Sequence, residues 1–360
     1  MTTDHDAYLA RKYFPGLDGL RAIAIIAVVW HHCVRSEWLP MFSRGFAGVD
    51  LFFVLSGFLI ATLLIREKAK NGKISLRDFW ARRFLRLMPA YYLLLLAMLA
   101  AYLLLKPDDP NTQRFVDGFH IYALYLSNWY NPGTNNMGIT WSLSTEEQFY
   151  IIWPLIEAFA APFFRLGFWL VAIVINQLVN FGVFDPMIEN MFGVGAHEKE
   201  ILEATFTPIL FGVALAHILN DKKYYGWACR LCGFKHAPYV IAGFLLMLMN
   251  VPAHDISGLF RLVMHLGMTA WIASIVLQPN APLTNALSLR PIAFIGAVSY
   301  GMYLYHMWSI HIVRAVIGKL GLSQFWLQFP ISLMLTTLIA AASFYLYEKR
   351  FLDWRKRFRK

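Results

Sequence analysis

Residues 47–65 read AGVDLFFVLSGFLIATLLI, and residues 66–73, which follow directly, read REKAKNGK. Nineteen positions holding one charged side chain, Asp50, run straight into a basic stretch. At about 1.5 Å per residue such a helix is roughly 28 Å long, close to the thickness of a bilayer's hydrocarbon core. The run therefore predicts a membrane-crossing helix, and the basic stretch marks its cytoplasmic end by the positive-inside rule.

The pattern recurs along the chain. Apolar runs of spanning length lie at 20–35, 47–65, 88–105, 143–161, 166–184, 203–220, 237–252, 260–278, 292–314 and 325–347. They predict an all-α polytopic transmembrane bundle of about ten spans with both termini cytoplasmic, since that orientation leaves 24 of the 32 Lys and Arg residues on the inside. An aromatic stretch, Phe119 to Tyr130, is an eleventh candidate. Counting it as a span would carry the basic stretches 221–236 and 348–360 to the outside, so it is expected to be re-entrant or interfacial. The turn residues Asn131-Pro132-Gly133 form its exit.

Composition agrees with a bilayer environment. The chain is 58% hydrophobic and 15% charged, where soluble domains carry about 25% charged residues. A net charge of +10 invites a nucleic-acid reading, but the cations sit in short loops between apolar runs, which excludes it. The first apolar run, Ala22 to Val34, lacks a small-residue cleavage pattern and reads as a span rather than a signal peptide. Three cysteines make no disulfide framework. One membrane domain covering 1–360 is expected, ending in a basic tail, Trp354 to Lys360, placed against anionic lipid.

Polar residues inside such spans are functional candidates, because inserting a charge costs about 2.5–3.5 kcal/mol. Arg21 and His32 are eleven residues apart, which puts them on one helical stripe about 16 Å apart with Asp18 near the same stripe. His31 points about 100° away. Asp50 enters the second span at a depth comparable with His32 and is expected to orient its imidazole. Ser56 and Gly57 are read as close-packing residues. In WSLSTEEQFY, residues 141–150, Ser142 and Glu146 share a face, and Glu146 is preferred to Glu147 as the site carboxylate. In SYGMYLYH, residues 299–306, Ser299, Tyr303 and His306 form a polar stripe, with His306 expected in the outer half of its span. Arg82, Arg83 and Arg86 cluster at the cytosolic mouth and suit a phosphate, which paired guanidiniums grip bidentately.

The bland readings are a snorkelling arginine, a core histidine and a topology-setting basic loop. Two rival classes share the spans: a transporter or flippase, which would show paired broken helices in two repeated halves, and a receptor or scaffold, which would not need histidines, carboxylates and arginines at matching depths. Cys229, Cys232 and His236 offer three of the four ligands that a structural zinc wants, so no metal is expected. His197-Glu198-Lys199-Glu200-Ile201 lacks the second histidine of a zinc-protease motif.

Taken in order, the Arg21–His32 pair, GVDLFFVLSGF, RRFLRLMP, WSLSTEEQFYIIWP and SYGMYLYH resemble acyltransferase family 3, from Pro15 to about Phe351. The resemblance implies a bacterial inner-membrane O-acyltransferase. It would take an acyl group, acetyl by family habit, from acyl-coenzyme A in the cytoplasm and deliver it to a hydroxyl of a carbohydrate or glycan. No permanently bound cofactor is implied. Arg21 and His32 match the family's essential first-span pair, Arg83 and Arg86 its donor-handling arginines, Glu146 the WSL glutamate and His306 the closing histidine. His32 would be general base or transient acyl carrier. Relatives with an extracytoplasmic esterase-like domain have no counterpart in this sequence, so a separate partner would complete the transfer or none is needed. The family's last helix often ends in Glu-x-Pro-Phe; here Glu348 precedes Lys349, Arg350 and Phe351, and no role is carried over to that turn.

Overall fold

The computed structural model describes residues 5–33, 40–130, 132–134, 136–192, 206–251, 258–322 and 325–358. The expectations for His197–Ile201 and for the edges of several spans lie outside them. The described residues contain helices and turns and no strand. Eleven helices carry the fold: α1 (Gly16–Cys33), α2 (Ala47–Asn71), α3 (Leu76–Leu105), α4 (Thr140–Phe159), α5 (Pro162–Asn180), α6 (Phe206–Asn220), α7 (Ala237–Leu248), α8 (Gly258–Leu277), α9 (Arg290–Ala297), α10 (Ser299–Lys319) and α11 (Phe325–Ser343).

The described residues of every predicted apolar run are helical over most of their length, and the protein is a membrane protein. By length and composition five helices are able to cross a bilayer, or six when Lys222–Cys232 and α7, bent by 68° against each other, count as one. The remaining runs miss that test because α6 has only 15 residues and because α1, α4 and α10 carry the polar residues of the site.

One expected run is not a single helix. Residues 292–314 divide at Val298, where α9 stops and α10 starts anew and runs on to Lys319. The break sets the depth of α10: Ser299 at its start lines the same cavity as Arg21. His306 therefore stands in the first half of α10, with its ring 5.0 Å from that of His32 at the C-terminal end of α1.

Close helix contacts hold the bundle together. A Cβ on Gly57 of α2 would fall on the carbonyl oxygen of Ile209, and one on Gly212 of α6 would fall on that of Val54. Only glycine at both positions lets these backbones touch, as the reading of Gly57 anticipated.

The stretch 119–130 does not cross as a helix. It is a five-residue helix, Phe119–Ala123, followed by turns, with Tyr125 at φ 54°. Its backbone carbonyls are met by protein donors: Tyr91 donates to Tyr122, Tyr92 to Ala123 and Gln148 to Tyr125, at 2.7–2.9 Å. That is the condition under which irregular backbone is tolerated away from water.

The basic segments gather at one end of the bundle. Arg66 donates to the carbonyls of Arg11 and Tyr8 and to Asn220. Arg11 reaches the carbonyl of Val276, and Arg82 that of Phe358. At the opposite end Trp30 donates to Phe42, Arg44 to Met249 and Val251, and Arg314 to His32.

Candidate active site

Arg21 is fixed first by its own helix. Its guanidinium donates to Asp18 at 3.1 Å, and Tyr13 donates to the other Asp18 oxygen at 2.6 Å. The α1 stripe thus exists, with Arg21 at one end and His32 at the other. Arg21 lines an interior cavity of about 90 Å³ together with Arg83, Arg86, Ser142, Glu146, Ser299 and Tyr303. Seven residues singled out from four separate motifs meet around one space.

Arg83 and Arg86 also line a second, larger cavity of about 810 Å³ at the end of the bundle where the basic segments gather. Arg66, Lys70, Lys73, Arg82 and Arg355 share that vestibule, against the two acids Glu67 and Asp78. Five lining cations beyond the shared pair, against two acids, make it an anion-attracting mouth. Within it Arg82 is committed, bonded to Glu67 at 3.2 Å and to the Phe358 carbonyl at 2.7 Å. Arg83 lies 4.6 Å above the Tyr150 ring, a cation–π contact. Arg86 makes no hydrogen bond or ion pair among the described residues, although it lines both cavities and a third beside them.

Helix α4 distributes its motif among different neighbours. Ser144, Thr145 and Gln148 hold the irregular 119–130 stretch through Ser127 and Asn128. Ser142 bonds Tyr303 at 2.6 Å, and both hydroxyls reach the carbonyl of Ile139. Glu146 accepts from Ser56 at 2.6 Å, and Ser56 in turn accepts from Tyr150 at 2.9 Å. Ser56 is therefore more than a packing residue. It aims the cavity's carboxylate, and the i,i+4 spacing of Glu146 and Tyr150 lets one serine bridge them.

The histidines stand beyond Tyr303. The His32 and His306 rings are 5.0 Å apart, and the Tyr303 ring is 5.5 Å from His306. His306 bonds the Tyr303 carbonyl through Nδ1 at 2.7 Å. A carbonyl only accepts, so Nδ1 carries the proton and Nε2 keeps its lone pair. That Nε2 is buried with no hydrogen-bond partner among the described residues. His31 is turned away, donating to the Ser43 carbonyl at 2.9 Å.

Asp50 is not where the sequence placed it. Its buried carboxylate faces Arg261 and His265 of α8, each at 3.3 Å, rather than His32. Sequence reading missed this partner pair, as it missed Ser56, Tyr150 and Tyr300; the ring of Tyr300 lines the cavity while its hydroxyl donates to the Leu87 carbonyl at 2.8 Å. The one available signal was that a buried carboxylate needs a cation, and Arg261 and His265, four residues apart, share a helix face. Among the described residues no three His, Cys, Asp or Glu side chains converge as a metal site.

The profile of a family described as an acyltransferase domain matches residues 14–345. The chain is 31% identical to YrhL of Bacillus subtilis, whose name proposes a peptidoglycan O-acetyltransferase, over 94% of this chain and 55% of that one. It is 31% identical to O-acetyltransferase OatA of Staphylococcus aureus over 92% of this chain and 56% of OatA. A third relative, from Staphylococcus aureus strain COL and named as a proposed O-acetyltransferase, is 30% identical over 97% of this chain and 60% of its own. The chain spans a little over half the length of these relatives. No solved structure matches it.

Proposed function

This chain belongs to acyltransferase family 3, and from that premise we propose that it is a membrane O-acyltransferase that moves an acetyl group from cytosolic acetyl-coenzyme A to a hydroxyl of a glycan. The observation that carries the reading is that two neighbouring cavities share Arg83 and Arg86 in their walls: a cationic vestibule, and a chamber lined by Ser142, Glu146 and Tyr303. The vestibule suits a donor that carries several phosphates, and the chamber suits its thioester. Topologically the proposal is ten spans with both termini in the cytoplasm of a bacterial inner membrane. Its support is the gathering of segments 5–21, 66–86 and 348–358 at one end.

In this mechanism Arg83 and Arg86 hold donor phosphates and Glu146 balances the charge of Arg21 and Arg83 across the chamber. His32 is the base, with the neutral His306 ring packed 5.0 Å from it. The His32 imidazole takes the acceptor's hydroxyl proton as the oxygen attacks the thioester carbonyl. The new C–O bond forms, the C–S bond breaks, and the thiolate leaves and is protonated by the imidazolium. Ser142 and Tyr303, turning their hydroxyls from the Ile139 carbonyl, donate to the carbonyl oxygen as charge develops on it. General-base catalysis of this kind contributes about 10²–10⁴-fold. A transient acyl-His32 is the stepwise variant. Transfer is direct, or is completed by a separate extracytoplasmic transferase.

The test is thiol release from acetyl-coenzyme A by the purified protein in detergent, with a peptidoglycan fragment as first acceptor and His32→Ala alongside. Release by the wild type alone supports the proposal. Equal, negligible release from both, with no donor binding, refutes it.

A further inference from the structure

The third cavity, about 240 Å³, opens beside Arg86 and is lined by Arg21, Arg355, Tyr300, Phe344 and Glu348. It shares Arg21 and Arg86 with the reaction chamber and Arg86 and Arg355 with the phosphate vestibule. Its volume falls below the roughly 300–1,000 Å³ of a site for a whole ligand. It fits one part of a molecule whose other parts lie in the two neighbouring cavities.

The lining is built to present a carboxylate. Phe344–Glu348 forms a single π-helical turn, in which the Lys349 N–H donates to the Phe344 carbonyl five residues back. The extra residue turns Glu348 inward, so that it is 8% exposed while its neighbours Tyr345 and Leu346 face outward. Tyr305 and Ser343 bond at 3.0 Å, and Ser343 donates to Glu348 Oε1 at 2.8 Å. The second carboxylate oxygen makes no hydrogen bond among the described residues. Phe344 and Tyr300 add aromatic faces, the Tyr300 hydroxyl being spent on Leu87. A carboxylate only accepts, so the occupant offers N–H groups at one edge. Aromatic walls suit a flat occupant, and the arginines shared with the vestibule suit one attached to phosphate.

Resting on the donor reading above, we propose that this side cavity binds the adenine base of the donor, with Glu348 accepting a hydrogen bond from the exocyclic amine and Phe344 and Tyr300 enclosing the ring. Glu348 is then a specificity residue for the donor's nucleotide and takes no part in acyl transfer. A zwitterionic lipid headgroup would also satisfy a carboxylate beside arginines, but it has no use for two aromatic walls.

Titration calorimetry on the purified full chain in detergent, with adenosine 3′,5′-bisphosphate and inosine 3′,5′-bisphosphate, reads the base directly. Hypoxanthine presents an oxygen where adenine presents the amine, and that oxygen would oppose Glu348. The wild type is expected to prefer the adenine compound about tenfold, since it alone satisfies the carboxylate. Glu348→Ala should bring the ratio to about one. Glu348→Gln, which keeps the size and can donate to the inosine oxygen, should erase or reverse the preference while the protein stays folded by thermal unfolding. Phe344→Leu should weaken both ligands together. Equal binding of the two compounds by the wild type, no binding of either, or a preference that survives in Glu348→Ala overturns the proposal. So does phosphatidylethanolamine that copurifies with the wild type and is lost from Glu348→Ala. Base preference without acetyl transfer refutes the transfer reading alone, whereas transfer without base preference refutes this inference alone.

Discussion

Replacing Arg86 by methionine should raise stability and weaken donor binding at once. The guanidinium lines all three cavities and makes no hydrogen bond or ion pair among the described residues, while Arg21 and Arg83 line the same chamber. A cation held half-buried next to two like charges costs stability, and methionine keeps the packing of the stem without the charge. Removing it should gain about 1 kcal/mol, which for a chain of this size is a rise of about 1–2 °C in Tm. The same change removes charge-assisted bonds to phosphate worth about 1.5–3 kcal/mol, so the Kd for coenzyme A should rise about 10- to 150-fold. Arg86→Lys should fall between, because an ammonium cannot bind bidentately. The assays are thermal unfolding without donor and calorimetric titration of coenzyme A, both at low and moderate salt. A variant destabilised by more than about 1 kcal/mol, or one whose affinity changes less than twofold, would refute the idea that Arg86 is kept for an anionic ligand.

His32→Ala and His306→Ala should each lower acetyl transfer at least about 100-fold while leaving coenzyme A affinity within twofold, since neither ring lines the vestibule; a loss of donor binding would show that the histidines shape the mouth instead. Asp50→Asn should destabilise by about 3–5 kcal/mol by leaving Arg261 without its carboxylate, and Asp50→Asn/Arg261→Met should recover most of that in chemical or thermal unfolding. Gly57→Ala should cost about 1–3 kcal/mol through overpacking at the α2–α6 crossing, measured by unfolding in detergent; a neutral result would mean that the two backbones can separate. Tyr303→Phe should cost only about 1 kcal/mol because Ser142 still reaches the Ile139 carbonyl, whereas adding Ser142→Ala should cost more than the sum of the single changes.

How much of this was legible beforehand depends on whether a feature is set along one helix or between two. The apolar runs, the Arg21–His32 stripe and the shared face of Ser142 and Glu146 follow from helical periodicity, which a sequence carries intact. The arginine cluster and the gathering of basic segments at one end follow from charge placed along the chain. What α2 presents to α4 and to α8 does not, because it depends on how each helix is rotated about its axis when packed. The depth argument that matched Asp50 with His32 left Arg261 and His265 unseen, and Ser56 passed for a spacer until Glu146 and Tyr150 met across it. The break at Val298 was hidden inside a continuous apolar run, since hydropathy is blind to where backbone bonds are interrupted; that break lowers Ser299 to the level of Arg21 and brings His306 against His32. Glu348 sits in a turn that departs from the family's sequence pattern, and a π-helical turn shows no signature in residue spacing, so only the packed structure reveals its carboxylate turned inward. The sequence by itself determined that this is a helical membrane protein with a cationic mouth and a set of polar side chains along its helices. The tertiary structure decided which of those side chains share a cavity, because helix rotation, helix breaks and cross-helix partners arise only when the helices pack.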